Sequence, residues 1–177
     1  GWVIKLDSST VRSPAGALLN LPSSDLAMAV AREWMAQGET INPASMPLFS
    51  LAVTVVDRVM PKQIAIINEL TSYGGNDLLC YRAEDNDLAG RQQKQWQPWI
   101  DWAGDVLHVN LRITTGIVPV TQPEVSRYEA HLQKLDVWRL GVLQRAVSLG
   151  GSLVLGLGFV ARRLDADQLF TAEDVAE

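Results

Sequence analysis

The sequence has a single cysteine, Cys80, and only two histidines, His108 and His131. One cysteine excludes an intrachain disulfide and is typical of a protein from a reducing compartment. Neither histidine has cysteine or carboxylate neighbours at metal-ligand spacing, and neither lies in a recognisable protease motif. Cys80 lies between Leu79 and Tyr81, so we interpret it as a small buried hydrophobic residue. We therefore expect no metal site, no cofactor and no catalytic residues.

The sequence also lacks a basic surface and a long hydrophobic run. The 177 residues carry a formal net charge of -5, whereas binding to nucleic-acid phosphates requires clustered Lys and Arg. Arg162-Arg163 is the only adjacent basic pair. The most apolar segment, 147–161, contains four glycines and is shorter than the roughly 20 residues that a membrane-spanning helix needs. We expect neither a nucleic-acid partner nor membrane insertion, and the first residues do not resemble a signal peptide.

Strand signals are concentrated at the beginning of the chain. Residues 2–6 and 10–12 flank the polar cluster Asp7-Ser8-Ser9, an arrangement typical of a hairpin. Residues 18–21 are a third candidate strand, and Ser and Asp side chains at 22–25 provide the N-cap chemistry for a first helix. The sequence therefore predicts a small β-rich N-terminal domain with one helix, covering residues 1–46.

From Pro47 onward the pattern is mainly helical. Pro98 interrupts one helix and predicts a kink or a restart there, and β-branched residues within 106–120 predict a short strand or an extended connector. The fold class predicted is thus α+β, with a mainly α-helical domain over residues 47–177. The predicted helices cover roughly 48–59, 61–74, 88–103, 124–135, 136–149 and 152–164, with a last one starting near Asp165.

A glycine-rich stretch near the C-terminus invites a nucleotide-binding interpretation. Gly156-Leu157-Gly158-Phe159-Val160-Ala161 has the spacing of the dinucleotide fingerprint, whose glycines let the backbone approach a pyrophosphate. The fingerprint requires a second strand ending in an acidic residue about 20 residues later, and residues 169–174 do not form one. We therefore interpret the glycines as small residues that allow helices to pack closely, and we expect no nucleotide.

Several polar and aromatic motifs occur in an order that core packing does not require, and together they resemble a known family. The family is the group of assembly chaperones that attend the alpha subunit of the F-type ATP synthase. The resemblance covers nearly the whole chain. Its motifs are Glu33-Trp34, Gln37-Gly38-Glu39, Met46-Pro47-Leu48, Asp57-Arg58, Asp77-Leu78-Leu79-Cys80-Tyr81-Arg82, Arg91-Gln92, Trp96, Pro98, Trp102 and Gly151-Ser152-Leu153.

The resemblance implies a chaperone, not an enzyme, that binds the unassembled alpha subunit without using nucleotide and promotes assembly of the catalytic sector. It implies the bacterial cytoplasm, or the mitochondrial matrix if a presequence precedes this chain. Family members usually close with a tryptophan-glycine-acidic segment that contains an important glutamate. Glu173 and Glu177 precede any such motif, so we do not assign that role to them.

Five residues in the resembling segments have chemistry that a core does not need, and we expect them at the partner surface. Arg82 either meets a partner carboxylate or has a structural role with Asp77, as an ion pair or a helix cap, and the sequence favours the structural role. Gln92 is either part of a buried polar network or part of a groove. The five candidate partner-binding residues are Glu33, Asp57, Arg82, Gln92 and Trp102.

Two alternative functions remain open from the sequence. A generic protein- or peptide-binding scaffold would bind the alpha and beta subunits equally well. An unrecognised soluble enzyme would turn over a substrate and lose that activity on substitution of Cys80 or Asp57. Selective capture of the alpha subunit distinguishes the chaperone from both.

Overall fold

A computed structural model describes residues 1–175 of the chain. These residues form two compact units, one over Gly1–Gln63 and one from Ile64 onward. The secondary structure is mixed α+β with a helical bulk and only small sheets, as the sequence predicted. The domain boundary after residue 46 and the β-rich character of residues 1–46 stay predictions.

The first unit begins with a hairpin whose strands are only two residues long. β1 (Lys5–Leu6) pairs antiparallel with β2 (Ser9–Thr10), and Asp7 takes a left-handed conformation with φ 53° in the turn between them. Isolated bridges join Trp2 to Leu21 and Arg12 to Leu18, so residues 18–21 do lie along the hairpin.

Two helices complete the first unit. α1 (Ser24–Met35) begins at Ser23, whose side chain accepts a hydrogen bond from the N–H of Leu26. A 3-10 turn over Pro43–Ser45 leads to α2 (Pro47–Thr54). A π-helical turn over Val55–Val59 and a 3-10 turn over Met60–Lys62 follow. The π turn ends two residues before Pro61, which has no N–H to donate to a helical carbonyl.

The second unit is built mostly from helices joined by short connections. One small sheet interrupts them, in which β3 (Tyr81–Arg82) pairs parallel with β4 (Thr114–Thr115). The other elements are α3 (Gln63–Tyr73), 3-10 turns at Gly74–Asn76 and Leu78–Cys80, α4 (Asn86–Trp102), a π turn at Ala103–Leu107, α5 (Arg127–Leu132), α6 (Val137–Gly150), α7 (Leu153–Val160) and α8 (Ala166–Asp174).

Helix α7 is the centre of the second unit. Its residues 153–158 are all buried, and it packs against α4, α6 and α8. A Cβ added at Gly156 would lie 2.8 Å from Leu143 Cδ1, and one added at Gly158 would lie 2.7 Å from Leu164 Cδ2. The two glycines therefore allow close helix packing, which confirms that interpretation of the glycine-rich stretch. None of the described helices is both long enough and apolar enough to cross a membrane.

Several predicted helices differ from the observed ones; α7, for example, ends at Val160 instead of near 164. α4 continues unbroken through Pro98, so of the two predicted outcomes the restart is wrong and the kink stays a prediction. The buried side chains of Trp96 and Ile100 on either side of Pro98 anchor the helix to the core. α5 covers only residues 127–132 instead of 124–135. The carboxylate of Glu124 instead binds Asn110 and Arg127.

Candidate functional site

Arg82, in β3, is a buried cation. Its side chain is 8% exposed, and its guanidinium carbon lies 5.1 Å from the centroid of the Trp96 ring. Its Nη1 donates to the carbonyl of Leu79, while Nε and Nη2 have no hydrogen-bond partner among residues 1–175. Burial lowers the pKa of Arg82, because the charged form loses its hydration. The site thus contains unsatisfied donors on a guanidinium group, which is suited to a carboxylate.

Gln92, in α4, connects this arginine to the end of α8. Its side chain is 3% exposed. Its Oε1 accepts from the N–H of Ala83 at 2.7 Å, and its Nε2 donates to the carbonyl of Val175 at 3.3 Å. One turn further along α4, Trp96 Nε1 donates to the carbonyl of Ala172 at 2.7 Å. The structure therefore brings Arg82, Gln92 and Trp96 together, and Gln92 belongs to a buried polar network.

Asp77 does not pair with Arg82. Its carboxylate is fully buried and accepts from the N–H groups of Leu79 at 3.0 Å and Val154 at 3.1 Å. It therefore caps both the 3-10 turn after it and the N-terminus of α7. Burial raises the pKa of Asp77, and the hydrogen bonds it accepts oppose that rise. Of the two structural roles weighed for this pair, the helix cap is observed and the ion pair is not.

Trp102, the last residue of α4, is half-buried. It packs edge-to-face against Trp99 with ring centroids 5.9 Å apart. Its indole N–H is buried and has no partner among the described residues. Trp102 thus has a partly exposed ring, as interface aromatics often do, and a buried donor without a partner among the described residues.

Glu33 and Asp57 lie in the first unit, and each has both carboxylate oxygens engaged. Glu33 accepts from the N–H groups of Leu48 and Phe49, both at 2.8 Å, and so caps α2, which has no side-chain cap of its own. Asp57, in the π turn, accepts from Ser13 Oγ at 2.6 Å and from the Ala15 N–H at 3.4 Å. These contacts give both residues a structural role inside the first unit.

Cys80 does not have the chemistry of a catalytic nucleophile. Cys80 is buried, and desolvation, with a smaller effect of Asp77, raises the pKa of its thiol to about 12. A thiol of that kind is protonated at neutral pH and is a poor nucleophile. No group of three His, Cys, Asp or Glu residues within 1–175 could hold a metal ion.

Sequence reasoning weighed Asp77 as a helix cap but missed the buried polar groups around it. Tyr128 is fully buried, its hydroxyl has no partner among residues 1–175, and burial next to Asp77 and Cys80 raises its pKa. A Cβ on Gly74 would lie 2.4 Å from its ring. The available signal was Asp77 itself, since Asp before an apolar turn is a typical N-cap. Glu177, to which no role was assigned, lies outside the described residues.

Comparison with known proteins places these observations in a family context. The family model described as ATP12 chaperone protein matches residues 1–104. A crystal structure of Atp12 from Paracoccus denitrificans is 40% identical with a TM-score of 0.92, and the match covers 99% of this chain and 76% of that one. A point mutant of the same protein matches over the same shares with a TM-score of 0.93. The Atu1473 protein of Agrobacterium tumefaciens is 31% identical with a TM-score of 0.90, covering 98% of this chain and 66% of that one.

Proposed function

The chain belongs to the ATP12 chaperone family, and from this premise we propose that it binds the unassembled alpha subunit of the F-type ATP synthase. By binding the subunit before assembly, it promotes formation of the enzyme's catalytic sector. The observation that carries this proposal is the similarity to the Paracoccus Atp12 structures over almost the whole chain. The motifs quoted from the sequence lie in the same aligned length.

The proposed activity is binding without catalysis and without nucleotide. A protonated thiol at Cys80 and glycines that lie inside a buried helix support this part of the proposal. The N-terminus of α7 already has a carboxylate, that of Asp77, on its N–H groups, and a phosphate would compete with it for the same donors.

Within the second unit, Arg82, Gln92 and Trp102 form the proposed partner-binding residues. Arg82 has two buried N–H-bearing atoms without a partner and Trp102 has one, and a partner carboxylate or carbonyl would satisfy them after a local rearrangement that exposes these donors. Gln92 positions this site, because its Oε1 accepts a hydrogen bond from the N–H of Ala83, the residue that follows Arg82.

Within the first unit, Glu33 and Asp57 are the proposed partner-binding residues. Their carboxylates are engaged in capping α2 and in holding Ser13. Their proposed contribution to binding is therefore mainly the positioning of these two segments. The compartment we propose is the bacterial cytoplasm, since the similar structures come from Paracoccus and Agrobacterium.

A capture experiment with separate subunits tests the function. The purified chain is immobilised and presented with unassembled alpha subunit and, in a parallel sample, with unassembled beta subunit from the same organism. We expect retention of alpha but not beta, and no retention of the assembled catalytic sector. Equal retention of both subunits would favour a generic binding scaffold, and failure to retain alpha would overturn the proposal.

A further inference from the structure

In the small parallel sheet of the second unit, the backbone groups on one edge of β4 point towards β3, and those on the other edge point away from it. The N–H of Gly116, after β4, donates to the carbonyl of Arg82 in β3 at 2.8 Å. Because successive residues of a strand point their backbone groups in opposite directions, Thr114 and Gly116 face β3. The backbone N–H and C=O groups of Ile113 and Thr115 therefore point away from it.

The opposite edge of the sheet is closed by the protein itself. The N–H of Tyr81 donates to the carbonyl of Leu78, and the N–H of Ala83 donates to Gln92 Oε1 at 2.7 Å. On the other strand, the residue two before β4 is also engaged. The N–H of Arg112 donates to Gln122 Oε1 at 2.9 Å, and Gln122 Nε2 donates to the carbonyl of Arg112 at 2.8 Å. The outer edge of β4 has no such closure, because no residue within 1–175 pairs with it there.

The side chains of residues 113–118 are apolar or uncharged, and the carboxylate of Glu84 lies beside Gly116. Residues 113–118 contain no charged residue and no proline, although natural proteins usually protect exposed strand edges with Lys, Pro or inward-pointing charges. Ile117 is 95% exposed, Val118 62% and Ile113 41%. Gly116, with φ 69°, turns the chain after Thr115, so the paired part of the edge is short and Ile117 and Val118 flank it.

We propose that the outer edge of β4 binds an extended segment of the client polypeptide by strand addition, with Ile117 and Val118 packing on its apolar side chains. Free backbone donors and acceptors select a partner in extended conformation, because a helix has already paired its own backbone groups. The exposed side chains of Ile113, Ile117 and Val118 favour a segment with apolar side chains, which lose contact with water when they pack on this edge.

This inference rests on the proposed function, because it names the binding mode for the unassembled alpha subunit. Strand edges and apolar surfaces that become buried on assembly are exposed in an unassembled subunit. An added strand would cover such a segment until the neighbouring subunit replaces it. Arg82 is the register partner of Thr115 across the sheet, so a variant at Ile117, which lies outside the paired residues, is needed to distinguish this edge from the Arg82 site.

Two variants test the backbone and the side-chain parts of the site. Thr115→Pro removes the outward N–H and leaves the Gly116 bond to β3 in place, and Ile117→Asp puts a charge on the apolar flank. Ile64→Asp is the matched control, because Ile64 is 78% exposed on α3. Affinity for purified, unassembled alpha subunit is measured by calorimetry, with circular dichroism to verify that each variant is folded.

We expect both edge variants to bind alpha about tenfold more weakly, and Ile64→Asp to bind as the unchanged protein does. Hydrogen exchange should also slow at residues 113–118 when alpha is bound. Binding of alpha that is unaffected by both edge variants would overturn strand addition and leave the chaperone function standing. No binding of alpha by the unchanged protein would overturn both. Self-association that Ile117→Asp abolishes, with alpha binding unaltered, would assign the edge to a second copy instead.

Discussion

The carboxylate of Asp77 accepts a hydrogen bond from the N–H of Val154, 77 positions later in the chain, at 3.1 Å. The same side chain caps its own turn at Leu79, and the N–H of Leu78 donates to the carbonyl of Gly151. One buried acid thus joins the segment that leads to Arg82 to the central helix α7. The orientation of Arg82 therefore depends on an interaction far from it in sequence.

The first prediction concerns the stability that Asp77 provides. Asp77→Ala should lower the free energy of unfolding by about 3 kcal/mol, because it leaves two buried N–H groups without an acceptor. Asp136 is the matched control, since it caps α6 through Trp138 and Arg139 but is exposed. Asp136→Ala should cost only about 1 kcal/mol. Urea unfolding of both variants measures the difference, and equal losses would contradict the argument.

The second prediction concerns Glu173 and pH. Burial raises the pKa of Glu173 from its usual 4.5, and its carboxylate lies against Gly150 at the C-terminal end of α6. A negative charge there is unfavourable. Because the folded protein holds this proton more tightly, stability falls as pH rises from 4.5 through the raised folded pKa.

Glu173→Gln should therefore raise the melting temperature at pH 7 and have little effect at pH 4, where the carboxyl is protonated in both states. Glu69→Gln on α3 is the control, because Glu69 is exposed. A stabilisation of Glu173→Gln that is the same at both pH values would show that charge is not the cause.

The third prediction concerns the buried glycines. Gly158→Ala should destabilise the protein by about 1–3 kcal/mol, because the new methyl group would lie 2.7 Å from Leu164 and 2.8 Å from Trp99. Gly90→Ala in α4 is the matched control, since nothing lies within 4 Å of its Cβ position. That change should stabilise the protein by about 0.5–1 kcal/mol. Thermal denaturation of the two variants shows whether close packing or helix propensity determines the effect of adding a methyl group at Gly158.

The fourth prediction concerns Arg82. Arg82→Ala should weaken alpha-subunit binding by about 1–3 kcal/mol if its free donors meet a partner carboxylate. It should also lower the melting temperature, because the contacts with Trp96 and with the carbonyl of Leu79 are lost. Affinity is therefore measured on the folded fraction, with the exposed Arg91→Ala as control. Unchanged affinity with reduced stability would remove Arg82 from the binding site.

The fifth prediction concerns nucleotide. The protein should neither bind nor hydrolyse ATP, since Gly156 and Gly158 lie inside buried α7 and Asp77 occupies the N–H groups at its beginning. Isothermal calorimetry with ATP and magnesium is the measurement. A stoichiometric heat signal with micromolar affinity would refute the prediction.

Helices that carry their own start and stop signals were predictable from the sequence. Asp136 and Gly151 bound α6 closely to the predicted range, and Asp165 with Gln168 forms the capping box that starts α8. α5 was predicted too long because Glu124, which would extend it, is engaged by Asn110. The local sequence pattern does not show whether a residue such as Glu124 will extend a helix or bind a residue elsewhere in the chain.

The candidate site was only partly predictable. The sequence identified Arg82 and Gln92 as residues whose chemistry a core does not need, and the structure brings them together. It did not reveal that Glu33 caps α2 or that Asp57 holds Ser13. Such contacts join segments far apart in the chain. The spacing of apolar residues does not show which backbone N–H group needs an acceptor from another segment.

The sequence by itself determined the helical bulk, the family and the lack of a catalytic motif, because these depend on residue order, local capping and composition. Only the tertiary structure decided how the polar residues are used. Asp77 became the cap of a helix 77 residues away, Arg82 became a buried cation over Trp96, and β4 found its partner in β3. Each outcome depends on which groups are desolvated together, and only the packed fold determines that.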